Sequence, residues 1–389
     1  ADGTFQPAPV PDRAPYGYVF EWSHSFAPRA LNRVLSADLM ARATMDETAV
    51  ITTSGIVQLG RGSIFVPLAR QDASQNEIYA IMQTIAAEDG VPVFAATSGL
   101  TPVLGRDLGA SSTFRILDEP RVVLAYDGGL SRYDVGEMWW TLDYRQRMPV
   151  TLVHKDRLGS LDWQDYTHLI LVGGSAGPDG VLDETLSDAV LTWVEQGGTL
   201  VATRGAASWA QGAIKRRALG ELPEGAVPED AAKEAEEEDA DLDAEPKRFD
   251  FGDMGERDAE HVIGGAIFAA DLDITHPLGF GFANRDLPMH RNVSFTLERP
   301  DGNPYAVPVE YIDDPLLTGY ASQKRQDEIA GTPSVVAQRM GGGSVILMAD
   351  NPVFRGTYPG SEKLLMNAIF FSGLINRPRG EYEAYENAR

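Results

Sequence analysis

A serine stands among glycines at Gly173-Gly174-Ser175-Ala176-Gly177, directly after the apolar run His168–Val172. The pattern G-x-S-x-G after a strand is that of a nucleophile elbow, a sharp turn that exposes a serine hydroxyl. Here Pro178, Asp179 and Gly180 follow at once, where an elbow would enter its helix. The competing reading is a glycine turn whose amides are open to an anion. A hydrolytic Ser175 would need a base, and His276 in "DITHPLGFGF" is the candidate, with Asp271 and Asp273 close in sequence. The same histidine could instead hold its own turn through its ring nitrogens.

A second strand–turn–helix pattern lies in "GGTLVATRGAASWAQG", Gly197 to Gly212. Its turn reads Arg204-Gly205-Ala206-Ala207, so the elbow is built and the nucleophile is missing. A third turn, "ADNPVFRGTYPG", puts Asp350, Asn351 and Arg355 after a strand and ahead of a helix. Polar residues there either line a crevice or brace the turn. Arg355 could clamp a carboxylate with two parallel hydrogen bonds.

Other chemistries lack their residues. The chain has no Cys, which removes disulfides, thiolate zinc sites and cysteine nucleophiles together. Its six histidines, at 24, 154, 168, 261, 276 and 290, show no zinc-ligand spacing. Asp239–Asp250 has aspartates at calcium-loop positions 1, 3 and 5. It lacks the glycine at position 6, has Pro246 at position 8 and ends in Asp rather than Glu. We expect no metal ligands and no cofactor.

The elements that would position these turns follow from periodicity. "YVFEW", "GSIFVPLA" and "VPVFAA" read as strands, and "APRALNRVLSADLM" and "QNEIYAIMQTIAAEDG" as helices, the latter ended by Gly90. "RVVLAY", "MPVTLV" and "HLILVGG" are continuous apolar runs, as in a parallel sheet buried on both faces. Helices are expected at Tyr133–Leu142 and in "DETLSDAVLTWVEQGG". The two Trp of "YDVGEMWWTLD" are read as core or interface. After about residue 260 the pattern turns antiparallel, with strands in "GGAIFAADLDI", "NVSFTLE", "YAVPVEYI" and "LLTGYA", a hairpin across Gly341–Gly343 and a closing helix in "SEKLLMNAIFFSGLI".

The expected fold class is therefore α/β: a doubly wound, mostly parallel sheet preceded by a smaller α/β domain. Residues 1–16 read as a Pro-rich linker, 17–117 as the small domain, 118–377 as the larger one and 378–389 as a polar tail. An acidic insert interrupts the larger domain at about 214–260. Ligands of such sheets bind beyond the carboxyl ends of the strands.

Net charge is −24, which disfavours nucleic acid and anionic lipid. Glu221–Pro246 holds 12 acidic residues and one Lys, so low hydrophobicity and high charge predict a disordered or loosely packed segment. With 43% hydrophobic residues and no apolar run near the ~20 residues that span a bilayer, a folded chain without a membrane span is expected. The start "ADGTFQPAPVPDRAP" reads as a linker or processing point within a longer precursor.

Several stretches, in order, resemble the C-terminal part of large bacterial zinc carboxypeptidase-like proteins: "GRDLGASS", "YDVGEMWWTLD", "HPLGFGF", "LLTGYAS" and "GGGSVILMADNPVFRGTYPGSEKLLMNAIFF". In that family a secreted zinc peptidase domain is followed by a class I glutamine amidotransferase-like domain. The resemblance covers most of Tyr18–Ile375. It implies an amidotransferase-like fold whose elbow, normally carrying Cys, falls here at Arg204–Ala206. Glutamine hydrolysis by a thiolate is thereby excluded. The peptidase zinc ligands have no counterpart, so zinc is expected only in an upstream domain.

The leading expectation is a non-catalytic accessory region, a pseudoenzyme that binds or positions through a crevice near Gly173, Gly174, Arg204, His276, Asp350, Asn351 and Arg355. Expected partners are the upstream peptidase domain and a peptide or small anionic ligand, with a periplasmic or extracellular location and room for homo-oligomerisation. Two alternatives are a Ser-type hydrolase using Ser175 and His276, and a self-associating cell-surface protein released from a precursor.

Overall fold

The computed structural model describes residues 6–103, 105–174, 181–219 and 248–376. Ser175 and the Gly177 turn lie outside them, as do most of the acidic insert and most of the calcium-like stretch.

Residues 17–117 build a seven-stranded sheet from β1 (Gly17–Phe20), β2 (Ala41–Thr44), β3 (Thr48–Thr52), β4 (Gly55–Leu59), β5 (Ile64–Pro67), β6 (Phe94–Ala96) and β7 (Phe114–Leu117), in the order β4-β3-β6-β1-β5-β2-β7. Every pairing is antiparallel. Two helices accompany it, α1 (Ala27–Leu35) and α2 (Gln75–Thr84). Ser74 and Glu77 close a reciprocal capping box at the start of α2. A π turn then carries the chain to Gly90, whose left-handed φ of 66° ends it.

The second sheet has nine strands: β8 (Val122–Tyr126), β9 (Val150–His154), β10 (His168–Val172), β11 (Thr199–Thr203), β12 (Ala266–Leu272), β13 (Asp286–Arg291), β14 (Val309–Thr318), β15 (Pro333–Met340) and β16 (Gly343–Met348). Its order is β13-β12-β14-β15-β16-β11-β10-β8-β9. Strands β16, β11, β10, β8 and β9 run parallel. The other half is antiparallel. The fold is thus mixed α/β with two sheets, and antiparallel pairing is far more extensive than the expected mostly parallel sheet.

Side chains alternate across the parallel strands, so each face feeds its own core. Val123, Leu169, Leu171, Leu200, Ala202, Val345 and Leu347 pack with α4 (Glu184–Glu195) and α5 (Gly205–Leu219). Leu124, Ile170, Val172, Val201, Ile346 and Met348 face the opposite core, with α3 (Arg132–Trp139), α1 and α2. That core includes residues of both sheets. Trp22, following β1, is fully buried there, and its indole N–H donates to Asn367 Oδ1 at 2.6 Å.

Two expectations need correction, and a third narrows. "NVSFTLE" carries no strand; residues 292–298 are irregular. The insert does not begin at 214, because α5 continues to Leu219 and α6 (Met254–His261) forms before residue 260. Of the two readings of the Trp pair, core or interface, the core one does not hold: Trp139 and Trp140 are 42% and 38% exposed, with Trp140 stacked on Tyr144. A short α7 (Gln323–Ile329) and a largely buried α8 (Pro359–Phe370) complete the helices named here.

Candidate functional site

Parallel register brings the turns after β8, β10, β11 and β16 to one end of the sheet. Left-handed backbone recurs there: Asp127, Gly128 and Gly129 after β8, Gly173 and Gly174 after β10, and Arg204 after β11. Together with Ser131 and Gly205 these turns line a crevice of about 420 Å³. Its other wall is the irregular segment after β13, through Val293, Ser294 and Phe295.

Arg204 occupies the elbow. Its φ is +54°, a conformation costing a non-glycine residue roughly 1–2 kcal/mol. Its amide donates to Met348 O at 2.9 Å, which ties the turn to β16. Gly205 follows because nothing else fits: a Cβ there would lie 2.1 Å from the Gly174 carbonyl oxygen. At Gly173 a Cβ would meet Ser131 Cβ at 2.5 Å and Asp134 Oδ2 at 2.6 Å. The two strand ends and the first turn of α3 are therefore pressed together.

The Arg204 side chain turns onto α3. Its Nη1 donates to both carboxylate oxygens of Asp134, at 3.1 and 2.9 Å. Asp134 is buried (side chain 3% exposed), while Arg204 keeps 22% of its side chain exposed. Ser131 caps α3 by accepting from the Asp134 amide. Asn351 Nδ2 donates to Asp134 Oδ1 at 3.3 Å and to Glu137 Oε2 at 2.7 Å. Burial raises the Glu137 carboxyl above its ordinary range, against the pull of the Arg355 amide. Nε of Arg204 is buried and has no partner among the described residues.

A second polar group braces the crevice wall. Arg291, fully buried, donates through Nη1 to Tyr311 Oη at 3.2 Å and to Asp350 Oδ1 at 3.3 Å, and through Nη2 to the Phe295 carbonyl. Tyr311 donates to Asp350 Oδ2. Burial lifts the Asp350 carboxyl and the Tyr311 phenol, while the Arg291 charge opposes both.

Of the residues read from sequence, Gly173, Gly174 and Arg204 line the crevice. Asp350 and Asn351 lie behind it as buried braces (2% and 5% exposed). Arg355 has a left-handed φ of 52°, and its guanidinium sits 5.0 Å from the Phe354 ring centre. Phe354 in turn stacks on His290 at 3.8 Å. His276 is not a lining residue. It is nine-tenths buried and its Nδ1 accepts from the Leu278 amide at 3.1 Å, so it holds its own turn. Burial drops its pKa to about 4, which leaves the ring neutral at pH 7.

Asp134, Ser131, Glu137 and Phe295 were not foreseen. Ser131 and Asp134 at a three-residue spacing are a cap signal that marked the start of α3. Among the described residues no group of three or more His, Asp or Glu is placed to hold a metal ion. Among the described residues no helix is long and apolar enough to cross a membrane.

No protein-family model matches the chain, and no curated protein matches it. Solved structures do. One is a ThuA-like protein from Parabacteroides merdae, at 14% identity and a TM-score of 0.39 over 69% of this chain and 95% of that one. Another is a ThuA-like protein from Bacteroides uniformis, at 10% identity and a TM-score of 0.33 over 64% and 89%. A third is the β-galactosidase of Bacillus circulans sp. alkalophilus, at 15% identity and a TM-score of 0.32 over 64% of this chain and 30% of that enzyme. The matched region thus spans under a third of that enzyme's length.

Proposed function

We propose that this chain is a non-catalytic binding and positioning region, with its ligand site in the crevice at the carboxyl ends of β8, β10 and β11. The observation that carries the reading is Arg204. A nucleophile at an elbow must be free to attack, with a base in hydrogen-bond reach. Here the elbow holds a cation anchored to a buried carboxylate, which suits recognition of charge.

We further propose that the five parallel strands and their helices are an amidotransferase-like unit serving a larger zinc carboxypeptidase-like protein of the periplasm or cell exterior. The ordered motifs quoted above support that assignment. Zinc would belong to the upstream peptidase domain, which the crevice would supply with ligand. An antibody raised against this chain tests the assignment in source cells. A native polypeptide well above 42.2 kDa, co-purifying with zinc-dependent peptidase activity, is the expected result. A native species of 42.2 kDa without that activity would refute it and favour a self-associating protein.

A further inference from the structure

The β3–β4 hairpin differs in composition from the rest of the chain. Thr48–Gly60 holds no charged residue, although 23% of the protein is Asp, Glu, Lys or Arg and its formal net charge is −24. The stretch has no proline, and its register runs unbroken from Thr48↔Leu59 to Thr52↔Gly55, so no bulge bends it. β4 is nevertheless the last strand on its side of the sheet. Charges, prolines and bulges are what keep a free edge from pairing with another chain. The other edge strands carry them: Arg115 in β7, Pro288 and Asp286 in β13, and His154 at the end of β9, ahead of Lys155 and Asp156.

The ladder determines which groups β4 leaves open. The Ile51 carbonyl accepts from the Thr97 amide on the side of β6, so the Ile51–Ile56 pair exchanges no hydrogen bonds. Antiparallel pairs alternate, so Gly55, Val57 and Leu59 bond to β3. The amides and carbonyls of Ile56 and Gln58 therefore point away from it. Among the described residues none of these groups has a partner. Ile56 is 62% exposed, and Ile51 beside it is 40% exposed. On the opposite face Val57 packs against the cluster that includes Val50, Leu59, Leu108 and Phe114.

We propose that the free edge of β4 pairs with β4 of a second copy of this chain, antiparallel about a two-fold axis at Val57. Charge selects that occupant. Two copies of so acidic a chain repel, and they can meet only where no like charges are brought together. The hairpin is such a place, and the ions at its base are already paired: Arg61 with Glu47 at 3.0 Å and Arg106 with Asp46 at 3.9 Å. An antiparallel partner lays its uncharged Thr53–Ser54 turn beside that base. With Ile56 opposite Gln58 of the second copy, every open amide and carbonyl of the edge is used. Other two-fold registers leave some of them unpaired. Val57 then meets its own copy, which joins the two clusters beneath one continuous sheet. The contact is isologous, so association closes at the dimer. This pairing is independent of the binding reading above.

Sedimentation velocity of the whole chain at about 1–300 µM tests the proposal. The expected mass rises with concentration from 42.2 kDa to twice that value. Pairing should tighten as NaCl rises from about 20 to 500 mM, because salt screens the repulsion between the copies. Ile56→Lys puts like charges on the shared face. Gln58→Pro removes an outward amide and leaves the bonds to β3 intact. Each should weaken dimerisation about tenfold or more, with circular dichroism unchanged. Leu152→Lys, on the exposed edge strand β9, should leave it unaltered. The chain has no Cys, so single cysteines report the register. Val57→Cys should cross-link to a dimer on mild oxidation, since facing residues of a non-bonded pair lie about 4.5 Å apart at Cα. Ile51→Cys, about 14 Å from its copy across three strand spacings, should not. The cysteine pair decides the question if the other variants fail to fold. A chain that stays monomeric at both salt concentrations overturns the proposal. So does a mass that climbs past the dimer, or a dimer indifferent to Ile56→Lys and Gln58→Pro. Cross-linking at Ile51→Cys in place of Val57→Cys also overturns it.

Discussion

The Arg204–Asp134 pair makes the sharpest prediction, because a buried pair and a surface pair differ in how they respond to losing one member. Asp134 is 3% exposed and Arg204 22% exposed. Removing one member of a buried pair costs about 3–5 kcal/mol, since the other charge is left desolvated. The partial exposure of Arg204 lowers that to about 2–3 kcal/mol for Arg204→Met, which strands the Asp134 carboxylate with only Asn351 and its own helix for company. Asp134→Asn keeps the shape and the Ser131 cap, and its stranded guanidinium can reach solvent, so about 1–2 kcal/mol is expected. The double variant strands no charge and should lose about 2–3 kcal/mol, at least 1 kcal/mol less than the sum. Thermal midpoints followed by circular dichroism, at about 2–4 °C per kcal/mol, resolve the difference. Additivity within about 0.5 kcal/mol would show that the pair is not coupled, and the account of the elbow would fall.

Further outcomes follow from the geometry. Gly205→Ala places a Cβ 2.1 Å from a backbone oxygen that cannot swing away, and should cost about 2 kcal/mol or more. Gly212→Ala, inside α5 with only the Arg216 guanidinium at 3.4 Å, should instead stabilise by up to about 1 kcal/mol, and both are read by thermal midpoint. His168 is buried between Thr167 Oγ1 and Ser372 Oγ, with a pKa lowered to about 4, as is that of His276. Between pH 6.5 and 4 the unfolded chain takes up these protons and the folded chain does not, so stability should fall as pH drops through that window. His168→Gln should flatten the denaturation midpoint-versus-pH slope there. Trp22→Phe deletes the donor to Asn367 Oδ1 in the shared core and should cost about 2 kcal/mol in denaturant unfolding.

How far the sequence announced this molecule depended on burial. Strands β8, β10 and β11 are covered on both faces, and such strands read as continuous apolar runs. The first sheet was harder: "ARAT" of β2 and "GIVQL" of β4 are short and partly exposed, with no period long enough to stand out. "NVSFTLE" shows the opposite error. Val293, Phe295 and Leu297 alternate as a strand would, but two of them face a crevice and the segment joins no ladder. At the site, Arg204 was legible because a strand, a turn and a helix surround it. Asp134 was not, because its meaning comes from a partner 70 residues away, and pairing across that distance leaves no local pattern. Asp350 and Asn351 were placed at the right turn, but burial made them braces behind the crevice.

The claim that the elbow binds and does not cut is tested most directly by steady-state assay. The purified chain would be offered p-nitrophenyl acetate, L-glutamine and a C-terminally free peptide at neutral pH, beside Ser175→Ala and Arg204→Ala variants. The account predicts no turnover above the uncatalysed rate in any of the three proteins. Saturable turnover on the order of 1 s⁻¹ or faster that disappears in Ser175→Ala would contradict it and make the serine, not the arginine, the working residue of this crevice.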